Sequence, residues 1–289
     1  MISPKHILLP VDFSERSVDA AREAEVLARH FHSCVTVLHV ADPHENEFGR
    51  FEPGGVKAQE LEKVLAHDFT GASISRIVRE GDPAEEIVGF AGASAVDLIV
   101  MAGHAYQQFE SFLVGSVAAE VLRNANCPVW LSVRAEKGLP PMFRRVLCAV
   151  DLAAETECVI NWAAEFAAAF AAQIFVLHVF RSRESDEPPD HPNEWLSHSE
   201  REELEKARQK VGATAQILFA GGDIPEAVCL QAAKLHADLV VIGRSPKAGD
   251  VGTTRIADYI RQSPCPVVRV WRRLLTLCPG TQIRTTGGR

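Results

Sequence analysis

Residues Asp97–Pro128 read DLIVMAGHAYQQFESFLVGSVAAEVLRNANCP, and this stretch joins a strand pattern to a helix pattern through a polar loop. Its apolar run Leu98–Met101 is typical of a parallel strand that is covered on both faces. The helix pattern begins at Gly115-Ser116 and continues to Asn126. A strand end is thus followed by a helix N-terminus, where free N–H groups and the positive end of the helix dipole suit an anion. The stretch predicts a phosphate-binding junction in an α/β protein.

The rest of the first half alternates strand and helix patterns around this stretch. Ser14 is a suitable N-cap for the first helix, and Asp82 with Pro83 is typical of another helix start. The predicted strands cover residues 5–11, 34–40, 74–80, 98–101 and 128–133. The predicted helices cover residues 15–31, 57–69, 83–94 and 116–126. Such alternation favours a parallel sheet with helices on both faces.

The second half of the chain repeats the first at an offset of 138 to 141 residues. Asp12 and Asp151 both end a strand pattern, and the tetrapeptide VLHV at 37–40 recurs at 176–179. Further matches pair DLIV at 97–100 with DLVV at 238–241, and CPV at 127–129 with CPV at 265–267. Landmarks in one order and at a nearly constant offset indicate a tandem duplication. We predict domains at 1–134 and 144–271, a linker at 135–143, and a largely disordered, dispensable tail at 272–289.

Each half is therefore predicted to be a Rossmann-like domain with a five-stranded parallel sheet. Ligands of such sheets bind at the carboxyl ends of the strands, where the strand order reverses. If the first and fourth strands are neighbours, Asp12 faces the loop that follows Met101. The fifth strand of each half is an edge with unpaired backbone groups. We expect these two edges to pair within one chain, as an intramolecular pseudo-dimer around a pseudo-twofold axis, and a homodimer of the whole chain is also compatible with the sequence.

Composition and charge argue against several classes of protein. The chain has 289 residues, of which 47% are hydrophobic and 24% charged, as in an ordinary globular protein. A formal charge of −8 argues against a broad nucleic-acid surface. No apolar run approaches the ~18–20 residues of a membrane span, and the N-terminus is not typical of a signal peptide. Seven cysteines without CxxC spacing predict buried free thiols, as in a reducing compartment. Together these properties lead us to expect a cytoplasmic protein that binds neither nucleic acid nor membrane.

The repeated motifs resemble those of the universal stress protein family in its tandem two-domain form. They are PVD at 10–12, VLHV at 37–40, GDP at 81–83, DLIV at 97–100, GSV at 115–117 and CPV at 127–129. The resemblance covers residues 3–270. It implies two adenine nucleotide alpha-hydrolase-like domains in a stress-response protein that binds ATP, with Mg²⁺ following the phosphates. Nucleotide-binding members carry a loop of glycine, two residues, glycine, nine residues, and glycine with serine or threonine.

The resemblance also implies roles for residues of this sequence. In the first half, Asp12 anchors the adenosine and the backbone of Val40 meets the base. The phosphates lie on the loop and helix start, at Gly103, His104, Gly115, Ser116 and Val117. In the second half, the corresponding and weaker contacts are Asp151, Val179, Gly243, Arg244, Gly252 and Thr253.

Several of these residues also have a structural interpretation. Asp12 and Asp151 suit the N-caps of the helices that follow them, as Ser116 and Thr253 do for theirs. His104 and Arg244 suit a solvated loop as well as a phosphate. His39 and His178 lie inside strands, so we predict that both are buried histidines with satisfied hydrogen bonds.

The predicted phosphate loop departs from the family pattern in both halves. Ala102 and Ala105 occupy the places of the first two glycines, and Gly103 comes one place late. The second half keeps Gly243 but has Pro246 at the next place, with only five residues before Gly252. A methyl group crowds a phosphate that must approach the backbone closely. We therefore expect weak binding, roughly micromolar or about −8 kcal/mol at best, and mainly in the first half.

The sequence favours a nucleotide sensor or scaffold over an enzyme. It has no Walker loop, no GxSxG elbow and no supported carboxylate pair. Glu110 in the loop could orient a water molecule, which would give at most a slow ATPase. The alternative is a member of the family that has lost nucleotide binding and acts only through dimerisation and protein partners.

Overall fold

The computed structural model describes most of both halves of the chain. The described residues are 3–41, 73–103, 115–133, 142–152, 156–180, 191–212, 215–243, 258–259 and 261–270. The helix predicted over 57–69 and the tail predicted over 272–289 lie outside them.

The first half contains five strands and three of the four helices predicted between them. Its strands are β1 (His6–Pro10), β2 (Cys34–Ala41), β3 (Ser73–Glu80), β4 (Leu98–Ala102) and β5 (Val129–Ser132). Its helices are α1 (Glu15–Phe31), α2 (Pro83–Ala93) and α3 (Ser116–Asn124). Every predicted element of this half that lies within the described residues is confirmed, with ends that differ by two residues or fewer.

The second half also contains five strands, with helices between them. Its strands are β6 (Arg145–Val150), β7 (Gln173–Phe180), β8 (Gln216–Gly221), β9 (Leu239–Gly243) and β10 (Val267–Val270). Its helices are α4 (Thr156–Ala169), α5 (Pro192–Trp195), α6 (His198–Val211) and α7 (Ile224–Leu235). The N-caps repeat as well, since Asp82 accepts a hydrogen bond from the N–H of Glu85 as Asp223 does from that of Glu226. The α/β fold predicted for both halves is confirmed.

The ten strands form one sheet in the order β3-β2-β1-β4-β5-β10-β9-β6-β7-β8. All pairs inside each half are parallel, and the halves join where β5 and β10 pair antiparallel. Trp130 lies opposite Val268, flanked by the pairs Leu131–Val267 and Val129–Arg269. Trp130 and Val268 are also equivalent residues of the duplication, so the pseudo-twofold axis passes between them. The predicted pairing of the two edges within one chain is confirmed.

The antiparallel junction separates the two candidate ligand edges. Because the strands of each half are parallel and the halves run in opposite directions, their carboxyl ends lie at opposite ends of the sheet. Asp12 follows β1 and Asp151 follows β6, so these two carboxylates face opposite ways. A small ligand that contacts Asp12 therefore cannot also contact Asp151.

One hydrophobic core crosses the junction on the sheet face that carries α1 and α4. It contains Trp130 of the first half and Phe166 of the second, whose ring centroids lie 5.7 Å apart. Phe31 and Phe170, which are equivalent in the duplication, meet edge to face at 5.6 Å. The opposite face has a separate core in each half, under α2 and α3 and under α7. The shared core therefore stabilises the two halves as one body.

The cysteines correct one prediction. Cys34, at the start of β2, is exposed, and its thiol donates to the carbonyl of Lys5 at 3.2 Å because this end of the strand lies at the surface. Cys158 is only half-buried, and the remaining four cysteines of the described chain are buried as expected: Cys127, Cys148, Cys229 and Cys265. In the part of the chain that the structure describes, no helix combines the length and apolar character needed to cross a membrane.

Candidate functional site

Three predicted site residues of the first half lie at one level of the sheet. In the registers of β1 with β2 and β4, His6 lies opposite Cys34 and Ile7 lies opposite Leu98. Continued past the strand ends, these registers bring Asp12 level with both Val40 and Gly103. β1 and β4 are neighbours, as the prediction required, so the strand order reverses here. The structure thus brings these three residues together at the carboxyl edge of the sheet.

Asp12 is held by the first turn of α1 through one of its two carboxylate oxygens. Its Oδ1 accepts hydrogen bonds from the N–H of Ser14 at 3.0 Å and from the hydroxyl groups of Ser14 and Ser17 at 2.6 and 2.5 Å. Its Oδ2 has no hydrogen-bond partner among the described residues. Ser14 is the N-cap of α1, as predicted. The alternative interpretation of Asp12 as the N-cap of this helix is therefore wrong.

These contacts also fix the charge of Asp12. Partial burial raises the pKa of its carboxyl, but the hydrogen bonds from Ser14 and Ser17 outweigh that effect and hold the pKa below its usual value. The group is therefore ionised at neutral pH, and an ionised carboxylate only accepts hydrogen bonds. Its Oδ2 suits a ligand that brings hydrogen-bond donors, such as a hydroxyl group.

The backbone of Val40 faces the space beyond the end of β1. The N–H of Val11 donates to the carbonyl of Leu38 at 2.9 Å, which is the last rung of this ladder. Residues two apart in a strand direct their backbone groups to the same side. The N–H and C=O groups of Val40 therefore point to the side of β1, as those of Leu38 do, but beyond the end of that strand. This orientation agrees with the predicted contact between the Val40 backbone and a base.

His39 contacts the backbone next to Asp12, and the equivalent residue His178 does the same next to Asp151. His39 is buried, and its Nδ1 lies 3.0 Å from the carbonyl oxygen of Val11, next to Asp12. His178 makes the same 3.0 Å contact with Val150, next to Asp151. Burial lowers the pKa of His178 despite the opposing effects of Val150, Glu200 and Asp151. Both histidines are buried, as predicted, and each has a hydrogen bond at Nδ1, but the prediction of fully satisfied hydrogen bonds is not confirmed for Nε2 of His39.

The N-terminus of α3 corrects one prediction and supports another. Gly115 is the N-cap, Ser116 is the first helical residue, and no side chain caps the helix, so the expectation that Ser116 caps it was wrong. The hydroxyl cannot fold back because Ser116 is already in helical conformation. The first N–H groups of α3 are thus available as donors. Gly103 is anchored through its N–H to the carbonyl of Ser132 at 3.0 Å, and His104 lies outside the described residues.

The second half reproduces part of this geometry. Leu152, which follows Asp151, has a φ of 52°, and Phe13, which follows Asp12, has a φ of 60°. The backbone therefore enters the left-handed region after the aspartate in both halves. The register of β6 with β7 brings Asp151 level with Val179. Arg244, Gly252 and Thr253 lie outside the described residues, as does Pro246.

Gly243 has a packing role that sequence reasoning missed. Its φ is not in the left-handed region, so the backbone does not require glycine there. A Cβ at this position would lie 2.8 Å from Cγ2 of Val159 on α4. In the first half, Ala102 is equivalent to Gly243 and Ala20 is equivalent to Val159. The second half thus has a smaller residue on the strand and a larger one on the helix that packs against it. Helix packing thus explains this glycine without a phosphate.

Gly243→Ala should lower the free energy of unfolding by about 1–3 kcal/mol because the new methyl group overlaps Val159. Adding Val159→Ala should remove the overlap, so the double variant should be more stable than the two single changes predict when added. Urea denaturation of the four proteins measures this coupling. Gly92→Ala is the control, since a Cβ there meets nothing within 4 Å and should stabilise α2. Additive single effects would contradict the packing role.

A buried carboxyl group near the site was also missed. Glu23 of α1 is 2% exposed and accepts hydrogen bonds from Nε1 of Trp130 at 2.5 Å and from the hydroxyl of Ser132 at 3.0 Å. Ser132 is the residue whose carbonyl anchors Gly103. The signal in the sequence was the position of Glu23 between Ala20 and Ala24 on the apolar face of α1.

Comparisons with known proteins agree with the fold of both halves. A sequence profile described as the Universal stress protein family matches residues 4–134 and again residues 142–270. A universal stress protein of Methanocaldococcus jannaschii is 34% identical over 144 residues, which are 46% of this chain and 84% of that protein. Another from the same organism is 28% identical over 151 residues, covering 43% of this chain and 92% of that protein. The crystal structure of a universal stress protein from Archaeoglobus fulgidus has the same fold, with a TM-score of 0.68 at 18% identity, and covers 94% of this chain and 100% of that chain.

Proposed function

Because the chain belongs to the universal stress protein family over both of its halves, we propose that its first half binds an adenine nucleotide at the carboxyl ends of β1, β2 and β4. The observation that carries this proposal is the Asp12 carboxylate. One oxygen is fixed by three protein donors, and the other has no partner among the described residues. The hydroxyl groups of a ribose are the donors that the second oxygen suits.

The neighbouring groups match the other parts of a nucleotide. The backbone of Val40, level with Asp12 and directed past the end of β1, offers the base a donor and an acceptor. The uncapped N-terminus of α3 offers the phosphates the N–H groups of Ser116 and Val117. ATP, carrying Mg²⁺ on its phosphates, fits this order of groups. Among the described residues, no cluster of three histidine, cysteine or acidic side chains offers a separate metal site.

The first half is the better candidate of the two. Its loop keeps nine residues between Ala105 and Gly115, which is long enough to follow a triphosphate. The second loop is shorter and carries Pro246, which has no N–H group to donate. The glycine that this loop retains, Gly243, is explained by packing against Val159. We assign the chain a sensor or scaffold role, in which nucleotide occupancy is read by a protein partner.

Asp12→Asn should weaken the binding of ATP-Mg by about tenfold or more and lower the melting temperature only slightly, since the neutral amide loses the charge-assisted part of the hydrogen bonds from Ser14 and Ser17. Asparagine keeps an oxygen for Ser14 and Ser17, but its amide nitrogen replaces the free oxygen and cannot accept a hydrogen bond. Isothermal titration calorimetry of the wild type and the variant measures the change. The wild type should bind with roughly micromolar or poorer affinity.

Asp151→Asn is the matched control for this experiment. It changes the equivalent carboxylate at the opposite end of the sheet and should leave the affinity for ATP-Mg as it is. An equal loss in the two variants, or tight binding that Asp151→Asn alone abolishes, would overturn the assignment to the first half. A wild type that binds no adenine nucleotide would favour the alternative in which the protein acts through partners alone.

A further inference from the structure

The helix that begins at the candidate phosphate site ends at the junction between the two halves. Arg269 lies on β10 of the second half, and its Nη1 donates a hydrogen bond to the carbonyl oxygen of Leu122 in α3. Leu122 is 1% exposed and belongs to the last turn of the helix, where carbonyl groups lack helical donors. A cation at this position is also favoured by the negative end of the helix dipole. Arg269 thus caps a helix of the other half.

This cap acts in one direction only. The pseudo-twofold axis relates the pair Val129–Arg269 to the pair Leu131–Val267. Leu131 is therefore the first-half equivalent of Arg269, and a leucine side chain has no group that can donate to a carbonyl. The second half therefore holds α3 through Arg269, and the first half offers no arginine at the equivalent position.

We propose that Arg269 is a positioning residue through which the second half holds the phosphate-binding helix of the first half. This inference rests on the proposed nucleotide site for the part that concerns phosphate. α3 has nine residues, about 14 Å at 1.5 Å per residue, so it moves as a short rigid rod. A tilt at Leu122 displaces the N–H groups of Ser116 and Val117 at the other end. Asp12 and Val40 belong to other elements and are not moved by such a tilt.

The test compares ATP-Mg with adenosine, because only the phosphates contact α3. Arg269→Leu, which installs the residue of the first half, should weaken ATP-Mg by roughly 3- to 10-fold and leave adenosine affinity within about twofold. Arg269→Lys keeps a donor and a charge and should retain most of the affinity. Arg261→Leu is the control for charge, since Arg261 is exposed and pairs with Asp258 at 3.0 Å. Calorimetry of these proteins gives the affinities.

Hydrogen exchange of the ligand-free proteins separates this inference from the proposed function. Arg269→Leu should speed the exchange of the amides at Val121 and Ala125 by at least about tenfold, and Arg269→Lys should not. If the wild type binds no nucleotide, the proposed function fails, while faster exchange still supports the cap. Unchanged exchange in Arg269→Leu, or an equal loss of ATP-Mg and adenosine affinity, would overturn the positioning role.

Discussion

Leu131→Pro should split the ten-stranded sheet at its centre and lower the free energy of unfolding by more than about 3 kcal/mol. The carbonyls of Pro128 and Ser132 accept hydrogen bonds from Ile99 of β4 and from Gly103 just after it. The N–H of Leu131 is therefore on the other side of the strand and faces Val267 of β10. Proline removes this donor at the junction of the halves. Urea denaturation and small-angle scattering should show lower stability and a larger molecule.

Leu131→Ala separates the lost hydrogen bond from the lost side chain. Leu131 is 1% exposed in the core of the first half, so truncation alone should cost about 2–5 kcal/mol. The alanine variant keeps its N–H group and should unfold in one transition with the dimensions of the wild type. The proline variant should be less stable than the alanine variant, and its two halves should unfold separately. Equal stability and equal dimensions for the two variants would count against the junction as described.

Glu23→Gln should stabilise the chain at alkaline pH and leave it almost unchanged at pH 5. Burial raises the pKa of Glu23 from an ordinary 4.5 to about 8, although the hydrogen bonds from Trp130 and Ser132 lower it. The folded chain therefore keeps a proton that the unfolded chain releases. The stability of the wild type should fall as the pH rises from about 4.5 to about 8, at a rate of about 1.4 kcal/mol per pH unit.

Glutamine preserves both hydrogen bonds without a charge. Its oxygen accepts from Nε1 of Trp130 and its amide donates to the hydroxyl of Ser132. At pH 9 the variant should exceed the wild type by roughly 3–5 kcal/mol, measured by urea denaturation between pH 5 and pH 9. Glu25→Gln is the control on the same helix, because it removes a carboxylate that pairs with Arg29 at 2.7 Å and does not contact Trp130 or Ser132, so it should not reproduce the gain at pH 9. A curve for Glu23→Gln parallel to that of the wild type would mean that the Glu23 carboxyl is ionised at neutral pH.

The sequence allowed part of the candidate site to be predicted. Asp12 and Val40 end neighbouring strands, and Gly115 precedes a helix, so strand and helix periodicity were sufficient to bring them to one edge. The capping residue of α3 was predicted wrongly, because glycine followed by serine leaves both residues compatible with the N-cap. The role of Gly243 was missed because its constraint comes from Val159 on a neighbouring helix and not from the local backbone.

The sequence by itself determined the alternation of strands and helices, the duplication, and the pairing of two like edges. These properties follow from local periodicity and from an offset of 138 to 141 residues that can be read directly. The tertiary structure alone decided which polar groups became buried. Glu23 and Trp130 are 107 residues apart, and Arg269 and Leu122 are 147 apart. The first contact arises because α1 packs on β5 within the first half, and the second because the antiparallel junction brings β10 beside α3. No local pattern of residues records which surface will cover which.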